Sequence, residues 1–583
     1  MDFLLIILRK NILNKLNIIY DLNNINSNSN SSYLYLTKKA SELFRQFESR
    51  LFIIGDFIPD NDDINNNNLD ENYLFKVIRK TGGFYYLILF DDKNNTIRVC
   101  NSLFSIMPVY YYVTDKNIYI SSRVDYIAKI NKINRLNKRF TLENLLFNYQ
   151  LFNQSYIENV KLLPSNCYLK IKDSRLSIIK HTNIEEFFHE NYDDKTKLDE
   201  LVDLFIDRLK IYLPDNSYYQ ALTGGFDGRS LTAGGLFLNH RFSTYSFGNK
   251  NSEDVFIAQK LSEMAKIPFK AILLDEQYIE KDSLQNGMEF IENAEGNASF
   301  SRAHYLYATK ILSKDCKYII TGNFGSEIFR ALHVAGVVVG PNLYNLFSSR
   351  SFDEAVEKIN NAKVLQYINR NFFKDEIEAI YQDLKSLPVF NGNYKSFDLN
   401  KKFYVFVFEE LFRKYFGAEI KNQFYHLVNR CPFLDFVFIQ ELFKSKYAGI
   451  HSRFFEHNPV KRFKGQMFYS HFIERTFPPF LNIKLDKGYK PADLLTHAGK
   501  INLIKNYYSK HLYKILHNHT NNEDPYSVYQ AFDYNRSYWE KLEIDGSLFN
   551  KKLVLDRTVN HQYDSYYIVL SQIYWLNKIK EIL

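Results

Sequence analysis

Apolar positions in the first third of the chain come in short, closely spaced runs rather than in helical stripes. Residues 3–8 (FLLIIL), 83–92 (GFYYLILFDD) and 96–102 (TIRVCNS) predict strands. Residues 108–122 (PVYYYVTDKNIYISS) predict two more about a turn at 114–117, and CYLKIKD with RLSIIKH predict a further pair ending near residue 181. One helical pattern, LENLLFNYQLF, interrupts them. Two Asn-rich stretches, 23–32 and 61–70, read as loops that need not pack. Residues 1–188 are therefore expected to form an α+β domain.

The polar stretch HENYDDKTK (189–197) reads as a linker, and beyond it the pattern changes. SYYQAL, FSTYSF, FKAILL and KYIIT predict strands separated by helices. The helix after FSTYSF has Ser252 placed to cap it, and Ile257, Leu261, Met264 and Ala265 on one predicted apolar face. Strands alternating with helices predict a parallel, doubly wound α/β sheet over residues 189–583. After about residue 350 the chain reads as mostly helical, with amphipathic stretches such as KFYVFVFEELFRKYF.

Composition narrows the function class. The chain has 583 residues, enough for two domains, and 24% charged residues, as expected of a soluble fold. A net charge of +8 is small and scattered, which permits an anionic substrate and points away from a nucleic-acid partner. The apolar run near the N-terminus is too short to span a bilayer. Four cysteines lie far apart without a CxxC pair, which argues for a reducing compartment, hence a cytoplasmic location.

The turn ALTGGFDGRS (221–230) is the strongest chemical signal. It follows a strand and opens a helix, the place where ligands bind in open parallel sheets. Gly224 and Gly225 let backbone N–H groups converge, Thr223 offers a hydroxyl, Arg229 a cation and Asp227 a carboxylate. An acid beside an anion site is reconciled by a bridging cation, so phosphates with Mg²⁺ fit all of these residues together. The plain alternative is a Gly-rich turn whose Asp caps the helix. Neither a Walker A loop nor a GxGxxG fingerprint is present.

The turn resembles the pyrophosphate loop S-G-G-x-D-S of the asparagine-synthetase-like ATP pyrophosphatases. TYSFG, TGNFGSEIFR, NRCPFLDFVFIQ and KGYKP are similar, in the same order, to later motifs of that family. Residues 81–112 are similar to part of the class II glutamine amidotransferase domain that precedes it, which has an N-terminal-nucleophile sandwich fold. The resemblance implies ATP with its phosphates on Thr223, Gly224, Gly225, Asp227, Gly228 and Arg229, and its adenine near Leu222, Phe247, Thr321 and Gly322. It implies Mg²⁺ on Asp227, and a late catalytic lysine.

Several positions depart from that pattern. Where glutamine-dependent members expose a cysteine, this chain has Asp2, so the first domain is expected to lack glutaminase activity. Gly228 replaces the second Ser of the loop. Ser326 stands in ungapped register with the family's metal-binding Asp, and Glu327 takes its place with one extra residue; a carboxylate suits Mg²⁺, so Glu327 is the expected partner of Asp227. The lysine is shifted by one residue to Lys487, with Lys490 as a second cation.

The implied activity is carboxylate adenylation by ATP, followed by attack of ammonia or a substrate amine to form an amide. Its partners would be a small-molecule or peptide carboxylate and an amine; no membrane is called for, and a homodimer is left open. The alternatives are a tRNA- or nucleotide-modifying ATP pyrophosphatase and a non-catalytic ATP-binding scaffold.

Overall fold

The computed structural model describes residues 1–8, 22–26, 32–47, 51–60, 71–188, 197–330, 340–387, 390–392, 394–455, 458, 461, 463–517, 524–556 and 563–583. The loop expected at 61–70 and nearly all of the linker at 189–197 lie outside these residues.

Among the described residues, twelve strands precede residue 181: β1 (Phe3–Leu8), β2 (Leu22–Asn26), β3 (Ser32–Thr37), β4 (Phe44–Phe47), β5 (Leu51–Gly55), β6 (Tyr85–Asp91), β7 (Thr96–Asn101), β8 (Tyr110–Val113), β9 (Asn117–Ser121), β10 (Lys161–Leu162), β11 (Cys167–Lys172) and β12 (Arg175–Lys180). They form two antiparallel sheets, ordered β10-β8-β9-β1-β3-β2 and β12-β11-β7-β6-β5-β4. The central strands β1 and β6 are apolar on both faces because each is covered on both sides. Phe3 of β1 meets Tyr86 of β6 edge to face at 4.9 Å, joining the two sheets. At the edge, β12 is largely exposed and alternates polar with apolar residues.

A third sheet is parallel and built from β13 (Tyr219–Ala221), β14 (Ser243–Gly248), β15 (Phe269–Leu273), β16 (Tyr318–Ile320) and β17 (Val428–Arg430). Its order is β15-β14-β13-β16-β17. The chain runs outward from β13 through β14 to β15, then returns to place β16 on the other side of β13. This reversal opens a crevice beyond the C-terminal ends of β13 and β16. Among the described residues, the chain is mainly helical between β16 and β17 and again after β17.

One helical expectation needs correction. In the helix Glu253–Ala265 the buried residues are Ala258, Leu261 and Ser262, whereas Met264 is 42% exposed. Ser262 is buried with its hydroxyl 2.7 Å from Thr244 Oγ1. Residues 402–416 are helical, as expected. They run into the π-helical turn Val407–Phe416, where even Arg413 and Lys414 are buried. Both cations pair with Glu410, and they donate to the carbonyls of Leu163 and Phe152 in the antiparallel layer.

The antiparallel sheets and the C-terminal part share a contiguous apolar core that includes Phe3, Tyr86, Phe205, Phe408, Phe433 and Trp575. Ion pairs seal the seam. Arg430, on β17, forks onto Asp56 at 2.8 and 2.9 Å, and Arg208 bridges Asp60 and Asp435. No helix among the described residues is long and apolar enough to cross a membrane.

Candidate functional site

Four segments meet at the crevice: the turn after β13, the start of the helix after β14, the turn after β16, and the loop around residues 485–490. Leu222 is fully buried and donates its N–H to Tyr245 O, anchoring the turn to the neighbouring strand. The helix Phe226–Phe237 then lies so close to β13 that a Cβ on Gly228 would stand 2.5 Å from Ala221 O. Glycine at that position, where the resembled family has serine, follows from this close approach.

Asp227 occupies the centre of the crevice. Its Oδ2 accepts from Ser326 Oγ at 2.8 Å, and its Oδ1 accepts from the Tyr469 hydroxyl. Gly322 must be glycine for Asp227 to fit, since a Cβ there would lie 2.6 Å from the Asp227 Cβ. Ser326 is therefore the hydrogen-bonding partner of Asp227, and Glu327 is its electrostatic one. The Glu327 carboxyl is raised to about 7, first by burial and then by the charge on Asp227, against the pull of Arg330.

The phosphate cradle expected from the glycines is taken up by the protein's own groups. Gly224 N–H donates to Asp254 Oδ1 at 2.8 Å, and Gly225 N–H to Thr223 Oγ1 at 3.3 Å. The side chain of Asp254 thus sits where an anion was expected, and its pKa is raised by burial and by nearby Asp486 and Glu253, against the Gly224 bond.

Arg229 is a second correction. It is fully buried and donates to the carbonyls of Ile483 at 2.6 Å, Lys484 at 3.1 Å and Phe480 at 3.2 Å, and at 3.4 Å to Gly224 O. In the first helical turn this side chain points across the helix into the chain segment packed against it, not toward the crevice. Its role is to hold residues 480–484 against the turn. The next residues follow: Asp486 N–H reaches Gly224 O at 3.4 Å, which brings Lys487 to the mouth of the crevice. Lys487 is exposed as a residue, yet its pKa is lowered by crowding about the ammonium and by Arg330, against Asp486, Asp227 and Asp254.

The expected adenine neighbours are only partly brought together. Phe247 lies at the crevice end of β14 in an aromatic group with His304, Tyr305 and Tyr526, at centroid distances of 5.4 to 5.8 Å. Asn249, just beyond β14, donates to Pro525 O at 2.8 Å and Asp524 O at 2.7 Å, which sets Tyr526 at this end of the sheet. Thr321 turns away, its hydroxyl donating to Asn429 Oδ1 at 2.9 Å within the sheet. His304 stacks on Tyr526 at 4.6 Å and is held neutral, its pKa about 3, chiefly by burial.

Sequence reasoning missed Asp254, Tyr469, Tyr526 and Arg330. Asp254 lies in the first turn of the helix Glu253–Ala265, 30 residues beyond Gly224, and nothing local in the sequence links the two. At the opposite end of the chain, Asp2 is buried; it accepts from Ser122 Oγ at 2.9 Å and from Tyr425 OH at 2.7 Å. Cys100 is buried in β7 with its thiol pushed up to about 12 by burial, so it offers no nucleophilic thiolate.

Among the described residues, no three His, Cys, Asp or Glu side chains are placed to hold a metal together. No family model and no curated protein matches the chain. Among solved structures, a glutamine phosphoribosylpyrophosphate amidotransferase from B. subtilis, complexed with ADP and GMP, is similar over 43% of this chain at 8% identity. Its TM-score is 0.17, and the match spans about half of that protein, 53% of its chain, so the likeness carries no weight for fold or function.

Proposed function

We propose that the crevice binds ATP with Mg²⁺ and that the protein is an amide-forming ligase, adenylating a carboxylate and passing the acyl group to ammonia or a substrate amine. The observation that supports it best is the coupling of Asp227 with Glu327 at the point where the parallel sheet reverses its order, with Lys487 and Arg330 facing them. Glu327, kept partly protonated first by burial and then by the charge on Asp227, would together with Asp227 offer two carboxylates to a dication. Mg²⁺ there would offset the charge of the phosphates.

The chain's own groups divide the rest of the work. Adenylation joins a substrate carboxylate oxygen to the α-phosphorus of ATP and releases pyrophosphate; attack of the amine on the acyl carbon then forms the C–N bond, expels AMP and frees a proton. Lys487 and Arg330 stand where they can stabilise the negative charge that builds up on the phosphates or on the carbonyl oxygen when the amine attacks. Asp254 must leave Gly224 for a phosphate oxygen to take its N–H. The layer of β1 to β12 contributes packing, because its Asp2 is spent on Ser122 and Tyr425.

A second reading has its own support. Asp227 clamped by two hydroxyls and Gly224 capped by Asp254 are what a scaffold that has given up nucleotide chemistry would show. One pair of measurements separates the two. In the enzyme, ATP binding requires Mg²⁺ and is lost in Asp227→Asn, while Lys487→Ala still exchanges pyrophosphate into ATP but forms no product. Mg²⁺-independent or absent ATP binding in the parent protein leaves the scaffold reading standing.

A further inference from the structure

The parallel sheet ends in two edge strands that differ. β17 is largely buried, whereas Ala271 of β15 is exposed and Leu273 is 41% exposed. Among the described residues, β15 pairs with β14 alone, so one side of its backbone has no strand partner. The ladder fixes which residues turn to that side. Thr244 N–H donates to Pro268 O at 2.8 Å, and Leu274 N–H donates to Gly248 O at 2.9 Å. Bonding residues alternate along a strand, so Lys270 and Ile272 likewise face β14, and Phe269, Ala271 and Leu273 present their N–H and C=O groups outward. We propose that this edge is the seam of a two-fold dimer, in which β15 pairs antiparallel with β15 of a second copy of this chain, Ala271 opposite Ala271.

Three observations select a second copy. The first is register. With Ala271 on the axis, Phe269 meets Leu273 of the other copy and Leu273 meets its Phe269. Every outward residue then falls in a hydrogen-bonded pair that exchanges two bonds. A shift by one residue sets outward groups against inward ones, and a shift by two leaves a pair unmade. The second is charge. Native sheets guard an open edge with charges, prolines or bulges, yet the outward residues of β15 are Phe, Ala and Leu. The strand's one charge, Lys270, is held by Asp315 at 2.5 Å and would stand across from Ile272. No like charges stand directly opposite.

The third is the layer above the strand. Phe269, Ala271 and Leu273 share register positions with Thr244, Ser246 and Gly248. Thr244 bonds Ser262 of the helix Glu253–Ala265, so all three lie on the face that this helix covers. Within the helix, Asp254 and Ile257 turn toward Gly224, which leaves Val255, Phe256, Gln259 and Glu263 on the flank nearer the open edge. Phe256 is 58% exposed there, with Lys260 over its ring at 4.1 Å. Strands about 4.8 Å apart set the two copies of this helix about 10 Å apart across the axis, the distance at which helices pack. The dimer does not depend on the crevice holding ATP.

Sedimentation velocity of the full chain over a dilution series is the test, and a monomer–dimer equilibrium is expected. Ala271→Pro removes an outward N–H on an edge strand, where proline is tolerated, so the dilute monomer should keep its far-ultraviolet spectrum. The dimer loses two hydrogen bonds on the axis, and its dissociation constant should rise about thirtyfold or more. Phe256→Glu, at an exposed side chain, should weaken the dimer by about tenfold and guards against a misfolded proline variant. Ala271→Cys should be joined into a covalent dimer by a short bismaleimide, beyond any background from the parent's buried and half-buried cysteines. A monomer at every concentration would leave the edge open or to a strand of another protein, and would overturn the proposal. A dimer that survives both substitutions, or an Ala271→Cys variant that cross-links no more than the parent, would overturn it as well.

Discussion

Glu327 shows how a single buried carboxyl sets a pH response. Its pKa of about 7, against an ordinary 4.5, means that the folded chain holds a proton there that the unfolded chain has lost between those two values. The stabilisation from keeping Glu327 neutral is complete below about pH 4.5 and is lost as pH rises through 7, because the unfolded state then binds fewer protons than the folded one. A shift of this size corresponds to about 3 kcal/mol. Glu327→Gln should therefore be more stable than the parent at pH 8 and equal to it at pH 4, as read from urea midpoints at both pH values. Equal midpoints at pH 8 would show that Asp227 and burial do not act on it. Asp254 gives a second prediction at this scale. If a phosphate oxygen must displace its carboxylate from Gly224 N–H, Asp254→Ala should bind ATP more tightly, by about 1 kcal/mol or more. Weaker binding would mean that Asp254 helps to hold the ligand rather than competing with it.

The helix that opens at Phe436 illustrates how one residue type serves two elements. Asp435 caps it, accepting from Phe438 N–H at 2.9 Å, and at the same time takes three bonds of 2.9 to 3.0 Å from Arg208 on the helix Leu198–Tyr212. Arg208 also reaches Asp60 in the antiparallel layer at 2.8 Å. The segment resembling a family signature, NRCPFLD, is thus used here to join elements. Arg208→Ala leaves Asp435 buried without its cation and should cost about 3 kcal/mol or more. Denaturant unfolding measures it, and a loss under about 1 kcal/mol would mean that water or Tyr212 satisfies Asp435 instead.

On the scale of the whole molecule, the antiparallel layer is a wall of the core. Phe3, Tyr86 and Phe104 belong to the same packed cluster as Phe408 and Phe436, and Phe104 touches both of the latter rings. Asp2 is drawn into that wall, where Arg123 and Lys421 favour its charged carboxylate against the cost of burial. Incubation with glutamine is accordingly expected to release no glutamate above an enzyme-free blank. Measurable release would require a nucleophile that neither Asp2 nor the buried Cys100 supplies.

Part of the element list was legible in the residue pattern, whereas β2 (Leu22–Asn26), paired with β3, falls in the Asn-rich stretch read as a loop. The alternation of apolar runs with Gly, Asn and Asp punctuation locates β6, β7, β8, β9, β11 and β12, and the strand–helix alternation after residue 197 predicts the parallel sheet. Those signals are local, because strand and helix periods are written in neighbouring residues. The turn at Asp227 was legible for the same reason. What each side chain in it faces was not. Arg229 pointing at Ile483, Asp254 on Gly224 and Tyr469 on Asp227 all join residues far apart in the chain. That Ser262 goes inward and Met264 outward was likewise not written in the local pattern. A chain's local periods state which elements form; only the packing of those elements decides which charges meet, which are buried, and hence which groups are left to do chemistry.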